Sequence, residues 1–463
     1  MPACSSETAC LEGLWSPNLA SSGASASVSV NGVKQRATTN GHVRSSIVTE
    51  PRKPRGLLGW LLQLPLLWIS TWLWIWKMIF KWLLSHLQTR PNTSRRPCVL
   101  LSGGSSVQAV RLARSLSVAG ARVIIVEVEG PFALARFSRA CARYHTVPCP
   151  GPRSGAAEYV RALRDVAQRE SVSTFIPVSA NSAAYYDSLA RAHLEPLGCE
   201  CWVPGPQEVA RLDDPVELMR RTRLAGLPVP EHRLLGGLEE AQSLYESGSL
   251  RGRHLAMVAG PAGMRDRGPE LRLPAAVNEL RRLQERQPGR RWLLLRDPGG
   301  EHLVTCTSVR SARLAANVSC RVDETRGTLL AEPRADVDRW IERFLARGWP
   351  GARFSAHLCF RFALGPSGEL LPMGCRVGIG LAYLGMRPEA HARQLLGFDV
   401  ASTAPLLPAP ACRHALDKRE ALFAIWDPLP YCVYCCLQLP LRRIVDMIGA
   451  QRTRHKPPLA VVE

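Results

Sequence analysis

The sequence predicts an α/β chain in which a parallel-sheet unit precedes an α+β unit, with a hydrophobic helix ahead of both. Three observations carry this. Between Cys98 and Val178, short apolar runs alternate with helix-spaced segments, the order of a parallel sheet with crossover helices. Beyond Pro230 the apolar runs follow one another through Gly/Pro turns instead. From Gly56 to Trp76, 21 residues carry no charge. At roughly 150 residues per domain, 463 residues allow about three such units.

Composition bounds the function classes. Hydrophobic residues make up 46% and charged residues 21%, ordinary globular usage, which excludes a wholly disordered, collagen-like or coiled-coil chain. The net charge of +20 invites a nucleic-acid reading. The basic runs are short and interspersed with acids, as in Arg164-Asp-Val-Ala-Gln-Arg-Glu170, so no nucleic-acid partner is expected. Only six of the 59 basic residues are lysine, and none lies between Lys81 and Lys418. The 15 cysteines are scattered, with two clusters, Cys199-Glu-Cys201 and Cys432-Val-Tyr-Cys435-Cys436, neither with a second pair at zinc spacing. Reduced thiols in a cytosolic setting follow.

Residues 1–50, rich in Ser, Ala, Thr, Asn and Gly without apolar periodicity, read as a disordered leader. The segment 56–86 reads as a membrane helix. The uncharged run at 1.5 Å per residue roughly matches the ~30 Å hydrocarbon core. Basic residues flank it, and Trp60, Trp68, Trp72, Trp74, Trp76 and Trp82 suit the membrane–water boundary, so membrane lipid is an expected partner. Spanning and interfacial placements both remain open.

The run Cys98–Ser102 is a strand, Val107–Val118 a helix and Arg122–Glu127 a second strand, with a helix at 156–170 and a strand at 174–178. Gly103-Gly104 leaves two readings open, a phosphate-facing turn and a plain tight turn; G-x-G-x-x-G is absent. Asp213 or Asp214 caps a helix with Pro215 at its first position, stopped by Gly226. Strands follow at 254–258, 292–295, 302–307, 356–363 and 370–371, and helices at 274–286 and 335–347. Asp297-Pro-Gly-Gly300 and Gly365-Pro-Ser-Gly368 read as hairpin turns. The run Leu429–Leu441 is too short and Pro-broken to span a bilayer. Interfacial lying, with acylation at Cys435-Cys436, and packing on the N-terminal apolar helix stay open.

Several stretches together carry a likeness: a hydrophobic leader before a strand ending in Ser102-Gly-Gly104, then Arg143-Tyr-His-Thr-Val-Pro148, Ala184-Tyr-Tyr-Asp-Ser-Leu-Ala190, Leu212-Asp-Asp214, Gly226-Leu-Pro-Val-Pro230 and Asp427-Pro-Leu-Pro430. The chain resembles the ATP-grasp superfamily, specifically the ligases of mycosporine-like amino acid biosynthesis, over about residues 56–445. The resemblance implies a Rossmann-like domain at 97–210, a two-lobed ATP-grasp region at 211–395 and a C-terminal apolar segment at 420–450. It implies ATP and Mg²⁺ as cofactors, and a small-molecule amine and carboxylate or cyclohexenone-type acceptor joined through C–N bond formation.

Carried over residue by residue, the resemblance places Pro215, Arg253 and Met257 where the family has lysines. Gly260-Pro-Ala-Gly263 with Arg265 stands for the Gly-rich loop. Arg296 falls at the hinge acid, with Glu301 close behind. Cys359, Pro372 and Gly374 stand at the metal-ligand positions, and Arg376 is retained. Magnesium takes oxygen ligands, which proline and glycine side chains lack, so no metal ligand is assigned; Glu369 is a displaced candidate. Arg253, Gly260, Gly263, Arg265, Glu301 and Arg376 are the expected ATP contacts. Three readings follow: a ligase with unorthodox ligands, a catalytically silent binding or scaffolding protein, and a nucleotide binder using only the first βαβ unit. The expected location is a membrane, with the main domain cytosolic, or a plastid-like compartment if the leader is a targeting sequence.

Overall fold

The computed structural model describes residues 72, 76–77, 96–128, 133–150, 155–178, 184–248, 250, 252–260, 270–273, 289–324, 326, 328–397, 415–441 and 443–444. All strands and helices below belong to one compact unit; Trp72, Trp76 and Lys77, helical and with both tryptophans exposed, belong to another. Among the described residues no helix is long and apolar enough to cross a membrane. The membrane-helix expectation, with Trp60, Trp68, Trp74 and Trp82, lies outside the described residues, as do Gly263, Arg265, the leader and the 274–286 helix.

The first sheet holds β1 (Cys98–Ser102), β2 (Arg122–Val128), β3 (Cys141–Val147), β4 (Thr174–Pro177) and β5 (Glu200–Cys201), all parallel in the order β3-β2-β1-β4-β5. Its central strands are continuous apolar runs because helices cover both faces: all five residues of β1 are buried. The crossover helices Val107–Val118 and Ala156–Glu170 stand where the apolar spacing puts them. β3 is a correction by addition: Cys141–Val147 has polar alternate residues typical of an edge, and no strand is predicted there from its pattern.

The second sheet, β6 (His232–Leu235), β7 (His254–Val258), β8 (Leu271–Leu273) and β9 (Trp292–Arg296), runs in the order β6-β9-β7-β8 and is antiparallel. The third holds β10 (His302–Arg310), β11 (Arg313–Asp323), β12 (Thr328–Ala331), β13 (Ala356–Leu364) and β14 (Leu370–Val377) in the order β12-β11-β10-β13-β14. Gly365–Gly368 is the hairpin between β13 and β14. Asp297–Gly300 is not a hairpin: β9 pairs with β6 and β7 while β10 pairs with β11 and β13, so this turn carries the chain from one sheet to the other. Glycine is required there, since a Cβ on Gly300 would lie 2.1 Å from the Leu364 carbonyl oxygen.

One face of the third sheet is dry. Trp340 and Phe344 of the helix Ala335–Gly348 pack on Phe360 and Phe362, with ring centroids 4.8–5.7 Å apart. Each such buried ring stabilises the fold by about 1.5–3 kcal/mol. This packing leaves the opposite face of β13 and β14 for the site. The C-terminal run packs by one face, Val433 and Tyr434 joining the core that contains Leu134, while Leu429, Leu437 and Leu441 remain exposed. Asp427 pins its start: the fully buried carboxylate accepts from Arg114 Nε (2.8 Å), Ser138 Oγ (2.5 Å) and the Arg139 amide (2.9 Å).

Candidate functional site

The site is the face of β13 and β14 turned away from the Trp340 layer. Directly paired residues share a face, and the register sets Arg376 opposite Cys359 and Gly374 opposite Arg361. A bulge between Arg361 and Phe362 then pairs Pro372 with Phe362, on the dry face. Pro372 and Gly374 therefore do not share a face as a simple alternation implies. No described atom lies within 4 Å of a Cβ built on Gly374.

Arg361 and Arg376 converge on one carboxylate. Glu270, the residue before β8, accepts from Arg361 Nη1 through Oε2 and from Arg376 Nη2 through Oε1, both at 2.6 Å. All three side chains are only 12–14% exposed. Burial alone pushes Glu270 up, but the two guanidinium charges outweigh it and hold the carboxyl at about 2. Neither Glu270 nor Arg361 is singled out by the sequence. A Glu following the Gly-rich loop and an Arg two positions after Cys359 on the same strand face are the signals available in hindsight.

The remaining expected residues scatter. Cys359 is 1% exposed and locked into backbone: Sγ donates to the Gly378 carbonyl (3.3 Å) and accepts from the Gly380 amide (2.9 Å). Met257 is core. Arg253 faces Glu324 at 3.6 Å, Glu301 faces Arg321 at 3.1 Å, and Arg296 faces Glu231 at 2.7 Å, all well exposed. Glu369 lies in its own hairpin, accepting from the Ser367 amide at 2.9 Å. The Asp pair ties both antiparallel sheets to the helix Pro215–Leu224. Asp213 accepts from the Val377 amide of β14 (3.1 Å), and Asp214 caps Val216 (3.1 Å) while also accepting from the Gly260 amide beyond β7 (3.2 Å).

This donor set does not fit Mg²⁺. A hard cation needs several free oxygens; among the described residues two arginines line the face, and both hold the Glu270 carboxylate. Among the described residues no group of three His, Cys, Asp or Glu stands together to hold a metal ion.

The first sheet has its own crevice, where the strand order reverses between β1 and β4. Here the phosphate reading of Gly103-Gly104 is corrected. The Glu127 carboxyl accepts from the Ser105 amide at 2.7 Å and the Val128 amide at 3.1 Å, so a side chain of the chain itself already takes the turn's amides. Gly104 is needed for a different reason: a Cβ there would stand 2.6 Å from Ile125 Cγ2. Deeper in, Asp187 accepts from Tyr159 OH (2.7 Å) and Ser102 Oγ (3.1 Å), and burial pushes it up to about 6. The end of β4 meets the end of β14 through the Ile379 amide and the Val178 carbonyl, 3.0 Å, which sets this crevice beside the third sheet.

No family model matches the sequence, and no curated protein matches it. The chain is similar to solved structures of ATP-grasp enzymes. One is an N5-carboxyaminoimidazole ribonucleotide synthetase in its ADP complex, at 14% identity and a TM-score of 0.48 over 69% of this chain and 82% of that one. Another is an L-amino acid ligase from Bacillus licheniformis, at 10% and 0.46 over 63% and 69%. A third is a biotin carboxylase from Campylobacter jejuni, at 13% and 0.48 over 66% and 72%. At these identities no activity transfers, and the architecture described above is read from this chain's own strand order.

Proposed function

We propose that this chain is an ATP-grasp-type scaffold of the C–N ligase kind, retaining an anion-binding cleft and lacking the apparatus for metal-dependent phosphoryl transfer. The observation that carries this is the Glu270–Arg361–Arg376 triad on the face where the resemblance expects metal ligands. Phosphoryl transfer relies almost entirely on electrostatic positioning of the phosphates, usually with a metal. Two guanidinium groups can hold phosphate oxygens and cannot bind a cation. Support for the scaffold comes from the parallel sheet followed by two antiparallel sheets, and from the motifs Ser102–Gly104, Leu212–Asp214 and Asp427–Pro430. The finer likeness to mycosporine ligases rests on those motifs alone.

The test is ADP release by the full-length protein with Mg·ATP, a panel of amino acids and cyclohexenone-type acceptors. The expected result is no turnover, with ATP still raising thermal stability; at 100 times Kd such binding contributes about 2.7 kcal/mol. Robust release abolished by EDTA would overturn the reading in favour of an active ligase.

A second reading, attachment to a membrane surface, is favoured by the uncharged run Gly56–Trp76 and by the exposed Leu429, Leu437 and Leu441 of the C-terminal run. The full-length protein is expected to sediment with membranes after a high-salt wash, and a chain lacking residues 1–90 to be largely released. A full-length protein soluble without detergent would refute it.

A further inference from the structure

We propose that the buried His357–His391 pair is an acid-sensitive clasp, which holds the helix Pro388–Leu395 against the third sheet while both rings are neutral and releases it on mild acidification. His357 stands near the start of β13, paired to Ser308 of β10, and His391 lies on the helix. Their Nε2 atoms are 3.3 Å apart, and the two residues are 1% and 0% exposed. Trp202, just after β5, stacks on the His357 ring at 5.5 Å, and Tyr383 meets the His391 ring edge-on at 5.5 Å. The pair lies at the join of two sheets. The His357 carbonyl accepts from the Gly378 amide at 2.8 Å, and the next amide, that of Ile379, reaches Val178 beyond β4 at 3.0 Å.

The geometry admits two neutral rings and no further proton. One Nε2 carries the shared hydrogen and the other accepts it. The accepting ring then keeps its own proton on Nδ1, and neither Nδ1 has a hydrogen-bond partner. A proton added to the remaining bare Nδ1 buries a charge beside two unpartnered N–H groups, a state that a dry interior penalises heavily. The titratable and charged groups on the surrounding elements are Cys306 and Arg310 of β10, Cys359 of β13, Glu200 of β5, Tyr383, Arg111 of the helix Val107–Val118, and Arg387, Glu389 and Arg393 around the helix itself. They are engaged elsewhere where they bear charge nearby: Arg310 faces Glu200 at 3.7 Å, and Arg111 reaches the Met386 carbonyl at 3.5 Å. Burial, and after it the other imidazole, hold His357 well below the ordinary range, and burial alone holds His391 at about 3. Among the described residues no counter-charge bears on either ring.

A freed imidazole titrates near its ordinary value of about 6.5, so opening takes up protons that the closed pair refuses. The clasp is therefore complete above that range and weakens as pH falls below it. Two rings raise the opening constant by up to about 100-fold per pH unit, and by roughly 600-fold between pH 7 and pH 5. Hydrogen exchange of the full-length protein at these two values, corrected for the intrinsic rate, reads the opening of amides 391–397 against those of β1. The expected result for the wild type is a rise of roughly 600-fold in the helix and a smaller one in β1. His391→Gln keeps a hydrogen-bonding group and one titrating ring, and is expected to rise about 25-fold. His357→Gln combined with His391→Gln is expected to stay level. Equal rises in wild type and double variant overturn the clasp. Equal rises in the helix and β1 also overturn it, because they mean unfolding of the whole chain. If the double variant does not fold, His391→Gln decides: a rise cut to about 25-fold supports the clasp, and an unchanged rise overturns it.

Discussion

Glu127 and Glu270 are the same residue type, each accepting from two donors of the chain, and their environments push them in opposite directions. Glu127 lies against backbone amides at the first sheet's glycine turn, and burial raises its carboxyl despite the Ser105 and Val128 N–H groups. Burial also opposes Glu270, yet two full positive charges reverse the outcome and hold it at about 2. Amide dipoles soften desolvation, and guanidinium charges overcome it. The turn thus carries a carboxyl raised above its ordinary value, and the arginine pair carries one held well below it.

Removing one cation is the largest test of that difference. Arg376→Met leaves Glu270 on a single guanidinium in a largely buried place, and a loss of about 3–5 kcal/mol is expected in urea denaturation. A loss under about 1 kcal/mol would mean water screens the contact, as at a surface pair, and would erase the contrast.

The acid limb of the stability curve sharpens it next. The folded value of Glu270 lies below its unfolded one, so its contribution is complete above the ordinary carboxyl range and is lost as pH falls toward about 2. The wild type should lose about 3 kcal/mol through this group between roughly pH 5 and pH 2. A Glu270→Gln variant should lack that component. Parallel pH profiles for the two proteins would show that Glu270 is not held by the arginines in solution.

At the glycine turn the expected effects are smaller. Gly104→Ala sets a methyl against Ile125 and should cost about 1–3 kcal/mol in thermal denaturation, with no change in tripolyphosphate affinity. A loss of tripolyphosphate binding on this substitution would restore the phosphate-facing reading of the turn. Smallest of all is Glu127→Gln, expected within about 1 kcal/mol of wild type at neutral pH, because the amide oxygen still accepts from Ser105. Its folded value is raised, so the wild type gains stability as pH falls through it toward the ordinary range. A glutamine there removes that gain, and a strongly destabilised variant would show the carboxylate is ionised and well paired.

Much of the fold was legible because its signals are local. The apolar run Cys98–Ser102, the helix Val107–Val118 and the helix start at Pro215 each rest on neighbours within a few residues, and each stands where it is expected, with Asp214 of the two candidate aspartates as the cap. The turn Asp297–Gly300 misled for the same reason: Pro-Gly-Gly chemistry announces a reversal, while the destination of the next strand is set by what it pairs with. The edge strand β3 was hidden because a half-exposed edge carries no apolar run.

By itself, then, the sequence determined the alternation of strands and helices and an aspartate-capped helix with Pro215 at its first position, leaving Asp213 and Asp214 both open as the cap. Only the tertiary structure decided that Pro372 turns from Gly374 at a bulge, that Glu127 closes the glycine turn, and that Glu270 meets Arg361 and Arg376. The physical reason is range. Periodicity and capping act over one or two turns of chain, whereas the triad joins side chains 91 and 106 residues apart, brought together by the pairing of β13 with β14 and the fold of β8 against β7.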